Sequence, residues 1–355
     1  MRYTQPHAMT TAAPAPRAGH PYHMHDAIYA QPGALRLVGR GNESALAAAA
    51  TTLSTATHVV VTGTGSSWHA ALISGVLLGR GGRLGSRVRV AFGGELADYG
   101  APREAGTALV GITHRGTRSV SDVLTAARAD GVGTIAVTAK GAETLGAAHV
   151  LRTVEREASD THTVSYTAAL GIMAMVAAAV GKDEALGRAV DALPDQLALL
   201  LGQESWEDIA ARLGDRRQYW FIGGGPNHAT ALEGALKLTE AAGVPALGLD
   251  AEQFLHGPWL AVDRNDLVVV VAPPGPARAR CLAAARVAQS AGAAIVALCA
   301  DDDRELGALA AETIALPDVD ELLSPIAAVV PLQLFAYHVA VRRGRNPDGR
   351  PLPAV

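Results

Sequence analysis

The sequence predicts an α/β protein made of two tandem, doubly wound parallel sheets related by internal duplication. Three observations predict it. Short apolar, β-branched runs alternate with helical stretches, a glycine-rich turn follows the first run of each half, and the order of elements occurs twice along 355 residues. At that length the repeat signifies a duplicated domain and not a solenoid.

The elements fall in matching order. In the first half, strand 58–62 (His-Val-Val-Val-Thr) runs into the turn 63–67 (Gly-Thr-Gly-Ser-Ser) and a helix over 68–78. In the second, strand 219–222 runs into the turn 223–227 (Gly-Gly-Gly-Pro-Asn) and a helix over 228–240. Second strands are expected at 87–92 and 244–249, third strands at 108–112 and 266–271, and fourth strands at 133–137 and 294–298. Each half closes with an apolar helix, 165–180 and 326–341. The resulting division is a flexible tail and lead-in at 1–33, domains at 34–190 and 200–341, and a C-terminal tail at 342–355. The polar stretch 181–217 reads as the linker.

Bulk properties exclude several classes. The chain is 49% hydrophobic with only 4% aromatic residues, so Ala, Val, Leu and Ile must build the core. A net charge of −4 with interspersed signs leaves no basic stripe for nucleic acid. Cys281 and Cys299 sit in apolar surroundings and read as small core residues, with no disulfide or zinc pattern. The Ala/Pro/Thr/His-rich stretch 1–21 has no apolar segment of signal-peptide type. The apolar runs 168–181 and 326–341 are short or interrupted for membrane spans and suit buried helices. A cytoplasmic protein without membrane contact is expected. His20, His23 and His25 lack the scaffold an ordered metal site needs, so no metal is expected.

The densest chemistry lies at 231–240, Ala-Leu-Glu-Gly-Ala-Leu-Lys-Leu-Thr-Glu, followed by His256-Gly-Pro. On a helix Glu233, Lys237 and Glu240 stand at i, i+4 and i+7 on one face. Such a stripe is either a solvated charged face or a proton-moving set. Its position, directly after a strand and a glycine turn, is where open parallel sheets bind ligands. Charges one or two turns into the helix would reach that crevice. The other turn, with Thr62, Thr64, Ser66 and Ser67, offers hydroxyls and helix N–H groups to a phosphate or a sugar. It is not a dinucleotide site, because Trp68 stands where a third glycine is needed, and no cofactor is expected.

These residues resemble the double sugar-isomerase (SIS) domain proteins, above all the isomerase half of glucosamine-6-phosphate synthase. The resemblance runs from His25-Asp-Ala-Ile-Tyr-Ala-Gln-Pro32 to Arg345-Asn-Pro-Asp348 and rests most on 231–240, Glu252-Gln-Phe-Leu-His-Gly-Pro258 and Gly65-Ser-Ser-Trp-His-Ala70. It implies flavodoxin-like domains and a homodimer. It also implies Glu240 as the base moving a proton between C1 and C2, and His256 as the ring-opening acid–base donated across the dimer interface. Glu233 and Lys237 would support them. Thr64, Ser66, Ser67, Thr113, His114, Arg115, Thr117, Arg118 and His162 occupy the substrate-binding places.

The chain departs from that pattern in four places. No glutaminase domain or N-terminal cysteine nucleophile is present, so ammonia release from glutamine is not expected of it. The phosphate loop, usually Ser-Gln-Ser-Gly-Glu-Thr in type, reads Thr113-His-Arg-Gly-Thr-Arg118, whose arginines could fork onto a phosphate or a carboxylate or simply face solvent. His162-Thr-Val-Ser165 replaces a Ser-Thr-Lys stretch. The tail contains no lysine for a Schiff base, since the chain has only Lys140, Lys182 and Lys237, and adjacent carboxylates should hold Lys237 protonated. The leading expectation is an enzyme on an amino or keto sugar phosphate, an aldose–ketose isomerase or an amino-sugar deaminase or deglycase like stand-alone SIS relatives. The alternative is a regulatory module that binds sugar phosphate without the chemistry.

Overall fold

The computed structural model describes residues 15, 17–143, 145–203 and 206–349. The chain divides into two units, one built on Gly33–Ala158 and Val164–Asp191, the other on Arg17–Pro32, Ser159–Thr163 and the residues from Ala192 onward.

Two short helices open the described chain, α1 (His23–Tyr29) and α2 (Gln31–Leu37). The first unit continues with α3 (Glu43–Thr55), β1 (His58–Gly63), α4 (Ser66–Val76), β2 (Val88–Phe92), α5 (Gly93–Tyr99), β3 (Thr107–Ile112), α6 (Arg118–Ala129), β4 (Gly133–Thr138), β5 (His149–Arg152) and α7 (Val164–Gly181). Its five strands are all parallel in the order β2-β1-β3-β4-β5, with Val61 opposite both Val90 and Val110. Leu109, Val120, Leu124 and Ala136 pack a core between the sheet and α6.

The second unit repeats the plan. After α8 (Glu184–Leu201) and α9 (Trp206–Leu213) come β6 (Tyr219–Gly223), α10 (Asn227–Ala242), β7 (Ala246–Asp250), α11 (Ala251–Leu255), β8 (Leu267–Ala272), α12 (Arg278–Ser290), β9 (Ala294–Cys299), α13 (Arg304–Gly307), β10 (Glu312–Ala315) and α14 (Ser324–Arg342). The strand order β7-β6-β8-β9-β10 is that of the first sheet, again all parallel. Trp220 and Phe254, whose rings meet edge to face at 6.1 Å, pack with Val268, Val270 and Ile295 on one side of it.

The duplication extends to the turns. Gly65 and Gly225 each adopt φ +57°, a left-handed value that favours glycine. A Cβ on Gly63 would fall 2.2 Å from the Ser67 carbonyl, and one on Gly223 would fall 2.1 Å from that of Asn227. The same close approach of helix to strand is therefore built twice.

Several expectations change. The stretch 181–217 is mostly helical: Leu186, Val190, Leu193, Leu197 and Leu200 form a buried stripe along α8, and Trp206, Ile209, Ala210 and Leu213 one along α9. Pro194 inside α8 disguised the first stripe. The fifth strands, β5 and β10, were not anticipated. Each has four residues and half-polar sequence, as suits a sheet edge. The residues 1–14 and 16 of the expected tail lie outside the described residues. The rest of the lead-in is not a flexible preface to the first unit: residues 17–32 belong to the second. The His23 and Met24 N–H groups donate to the Asp348 carboxylate at 3.0 and 2.7 Å, and Gln31 Nε2 donates to Gln333 Oε1 at 2.8 Å. The tail reading of 342–355 changes likewise, since Asp348 caps α1; residues 350–355 lie outside the described residues.

α7 and α14 are long and apolar enough to cross a membrane, but 83% and 89% of their 18-residue windows is buried in protein, as in core helices. The two cysteines are free and buried. Burial pushes Cys281 up to about 12 and Cys299 up to about 11, which suits inert packing. His20 Nδ1 lies 2.7 Å from the Tyr337 hydroxyl and His25 stacks on Tyr29. Among the described residues no group of three or more His, Cys, Asp or Glu could hold a metal ion.

Candidate functional site

In the first unit β1 and β3 are neighbours although β2 lies between them in sequence, so the crossover direction reverses there. Ligands bind beyond the carboxyl ends of strands at such a point. The β1–α4 turn and the β3–α6 loop both end there. α4 starts at Ser66, two residues earlier than expected, so Ser66 and Ser67 lie in its first turn. The Ser67 N–H donates to Thr64 O at 3.1 Å and the Trp68 N–H to Gly65 O at 2.9 Å, which closes the turn. Across from it the Thr117 N–H donates to Thr113 Oγ1 at 2.9 Å, so the buried Thr113 shapes its loop.

The histidine and arginines of that loop separate. His114 Nε2 accepts the Glu157 N–H at 3.1 Å, and Glu157 Oε1 accepts the Ser165 N–H at 2.7 Å. His114 is thus a pin for the following segment, a role its position in the motif did not suggest. Burial, helped by the charges of Arg115 and Arg156, pushes its imidazole down to about 4. Arg118 is exposed and lies 3.8 Å from Asp122 on α6, whereas Arg115 is partly buried. The two arginines therefore differ in exposure. Thr117 is exposed at the start of α6, where its carbonyl accepts the Val120 and Ser121 N–H groups.

The depressed His114 makes a stability prediction. An unfolded chain takes up this proton near 6.5 and the folded site only near 4, so stability falls as pH drops through that window. The loss is on the order of 3 kcal/mol. Urea midpoints followed from pH 7.5 to 4.5 should decline less steeply in His114→Gln than in the wild type. Parallel declines in the two proteins would contradict it.

In the second unit α10 carries Glu233, Lys237 and Glu240. Lys237 and Glu233 side chains are fully buried, and Glu240 is 36% exposed. The Lys237 ammonium lies 3.4 Å from Glu233 Oε1 and donates to Glu240 Oε2 at 2.5 Å. It is therefore buried between two carboxylates. Glu240 lies thirteen residues beyond Asn227, about 20 Å along the helix. Glu240 therefore lies beyond the one or two turns from which a charge reaches the crevice of its own strand. That second crevice, between β6 and β8, already contains Glu321. A Cβ on Gly275 would come within 2.6 Å of Glu321 Oε1, and one on Gly225 within 3.6 Å.

His256 follows α11. Asp250 Oδ1 accepts the Glu252 and Gln253 N–H groups at 2.8 and 3.4 Å and so caps this short helix. The His256 side chain is 69% exposed, with Nε2 3.1 Å from Glu252 Oε1. Arg280 Nε donates to Glu252 Oε2 at 2.8 Å. Hydrogen bonds from His256 and then Arg280 hold the Glu252 carboxyl below its usual value. Trp259 and Leu260, on the turn Pro258–Ala261, are exposed beside it in sequence. Glu252 stands in the 252–258 motif but was not singled out as a candidate contact, nor was Arg280; the i,i+4 spacing of Glu252 and His256 is the signal that marks the first. His162 belongs to the segment 159–163 of the second unit, where the neighbouring Thr161 hydroxyl donates to Pro347 O at 2.7 Å.

Residues 213–343 match the SIS domain family. Over 354 aligned residues, 94% of this chain, the sequence is 32% identical to glutamine–fructose-6-phosphate aminotransferase (isomerizing) of Pyrococcus horikoshii. The chain spans 57% of that relative's length. The fold matches tagatose-6-phosphate ketose/aldose isomerase from Escherichia coli with a TM-score of 0.80 at 20% identity, covering 94% of this chain and 97% of the other. It matches glucosamine-6-phosphate deaminase from Thermotoga maritima with a TM-score of 0.70 at 19% identity, covering 92% and 94%. The chain thus matches the SIS domain family over its second parallel-sheet unit and is similar to the isomerizing aminotransferase along most of its own length, with two duplicated parallel sheets.

Proposed function

We propose that this chain is an enzyme that moves a proton between C1 and C2 of an amino or keto sugar phosphate. The observation that carries the reading is the Glu240 carboxylate. It is partly exposed, and a buried ammonium, itself backed by the buried Glu233, fixes one of its oxygens. A carboxylate so held keeps one orientation while its exposed part can take a proton from carbon. The α4 N-terminus with Thr64, Ser66 and Ser67 suits an anion or sugar hydroxyls, and Arg115, Thr117 and His162 are the further candidate contacts.

In the open-chain aldose, Glu240 takes the proton from C2. The C–H electron pair forms the C1–C2 double bond, and the C1 carbonyl oxygen takes a proton to become a hydroxyl. Return of the proton to C1, with loss of the hydroxyl proton at O2, leaves the ketose. With nitrogen on C2 the same transfer yields an imine, which water hydrolyses to the ketone and ammonia. The names of the similar proteins, an isomerizing aminotransferase, an isomerase and a deaminase, accord with this chemistry. The exposed His256, followed by exposed Trp259 and Leu260, suits a histidine lent to a second copy of the chain in a homodimer.

The test incubates the protein with glucosamine 6-phosphate, fructose 6-phosphate and fructosyl-amine phosphates, and follows ammonia release and aldose–ketose interconversion. Conversion of a phosphorylated sugar at least about tenfold faster than of its dephosphorylated form is expected. Saturable binding of these sugars without any conversion would replace the reading by a sensing module.

A further inference from the structure

We propose that Glu252, anchored by Arg280, is the positioning residue of His256, holding the imidazole by Nε2–H so that Nδ1 is the nitrogen that exchanges protons with the sugar ring. The inference rests on the reading of His256 as the ring-opening group.

An ionised carboxylate only accepts hydrogen bonds, so the contact of Glu252 Oε1 with His256 Nε2 at 3.1 Å requires the proton on Nε2. Nδ1 then carries the lone pair. The other oxygen, Oε2, accepts from Arg280 Nε at 2.8 Å, so the carboxylate is held at both ends. Its platform is fixed as well. Asp250 caps the helix at the Glu252 N–H, and Ala251 and Phe254 on the same turn are fully buried.

Exposed ion pairs of this kind contribute little to stability. Their effect here is on tautomer and direction, as with carboxylates behind other working histidines. For ring opening, Nδ1 takes the proton of the anomeric hydroxyl, whose O–H electron pair becomes the second bond of the carbonyl. The bond from the anomeric carbon to the ring oxygen breaks, and that oxygen receives the proton from the imidazolium. The histidine ends neutral, and no co-reactant is needed.

Two measurements test this. In 15N-labelled protein at pH 8, with the His256 signals assigned by their loss in His256→Gln, Nε2 should resonate as the protonated nitrogen and Nδ1 as the bare one. A proton on Nδ1 overturns the inference whether or not the enzyme is active. In kinetics, Glu252→Ala should lower kcat/KM for a ring-closed sugar phosphate by roughly 10- to 100-fold. It should leave 5-deoxyfructose 6-phosphate, a ketose with no hydroxyl placed to close a five- or six-membered ring, unchanged within about twofold. Glu252→Gln, which retains an acceptor oxygen, should recover part of the loss. An equal fall for both substrates would make Glu252 merely structural and would also overturn it. Absence of turnover of every sugar by the wild type would defeat the proposed function, while the nitrogen signals still decide the position of the proton.

Discussion

Replacing Glu240 by Gln is expected to reduce sugar-phosphate turnover by at least about a thousandfold, because the amide cannot take a proton from carbon. Substrate affinity should change little, since a positioned amide oxygen still accepts a hydrogen bond. Stability should also change little. Lys237 keeps Glu233 at 3.4 Å, and Gln can still accept from the ammonium. Single-turnover rates, with KM and thermal unfolding measured on the same samples, check the three parts together. Retention of more than about a tenth of the wild-type rate would move the base elsewhere.

Replacing Lys237 by Met is expected to destabilise the protein by about 3–5 kcal/mol. The change preserves volume but leaves Glu233 fully buried without its counter-charge. Against the 5–15 kcal/mol that usually holds a fold together, that loss is large. Adding Glu233→Gln to Lys237→Met should recover a substantial part of it, because the uncompensated charge is then gone. Urea unfolding of the two single variants and the double variant measures the coupling. Additive losses would mean that the buried pair is not the source of the effect.

Much of the fold was legible in the sequence because the central strands are continuous apolar runs. Val268-Val-Val-Val271 has few other ways to be buried. The short edge strands β5 and β10 were not legible, since four residues with polar members produce no periodic signal. The α8 stripe was present, but Pro194 argued against a helix that the buried leucines nevertheless form. Docking of residues 17–32 on the second unit depends on Asp348 and Gln333, more than 300 residues away, and no local pattern encodes that.

The candidate site divides in the same way. Glu233, Lys237 and Glu240 were found by helical spacing, and the structure joins them through one ammonium. The work of His114 was hidden because its partner, the Glu157 N–H, lies 43 residues further on. Glu321 in the second crevice was equally invisible, as only the folded loop brings it to Gly275.

Glu240 is the proposed carrier of the proton to and from carbon in a sugar phosphate. The most direct measurement incubates the wild-type protein with glucosamine 6-phosphate and fructose 6-phosphate in deuterated water and recovers the sugars for NMR. Deuterium at C1 or C2, absent when Glu240→Gln is used, is the predicted result. A sugar phosphate that binds and is recovered free of deuterium would rule that role out.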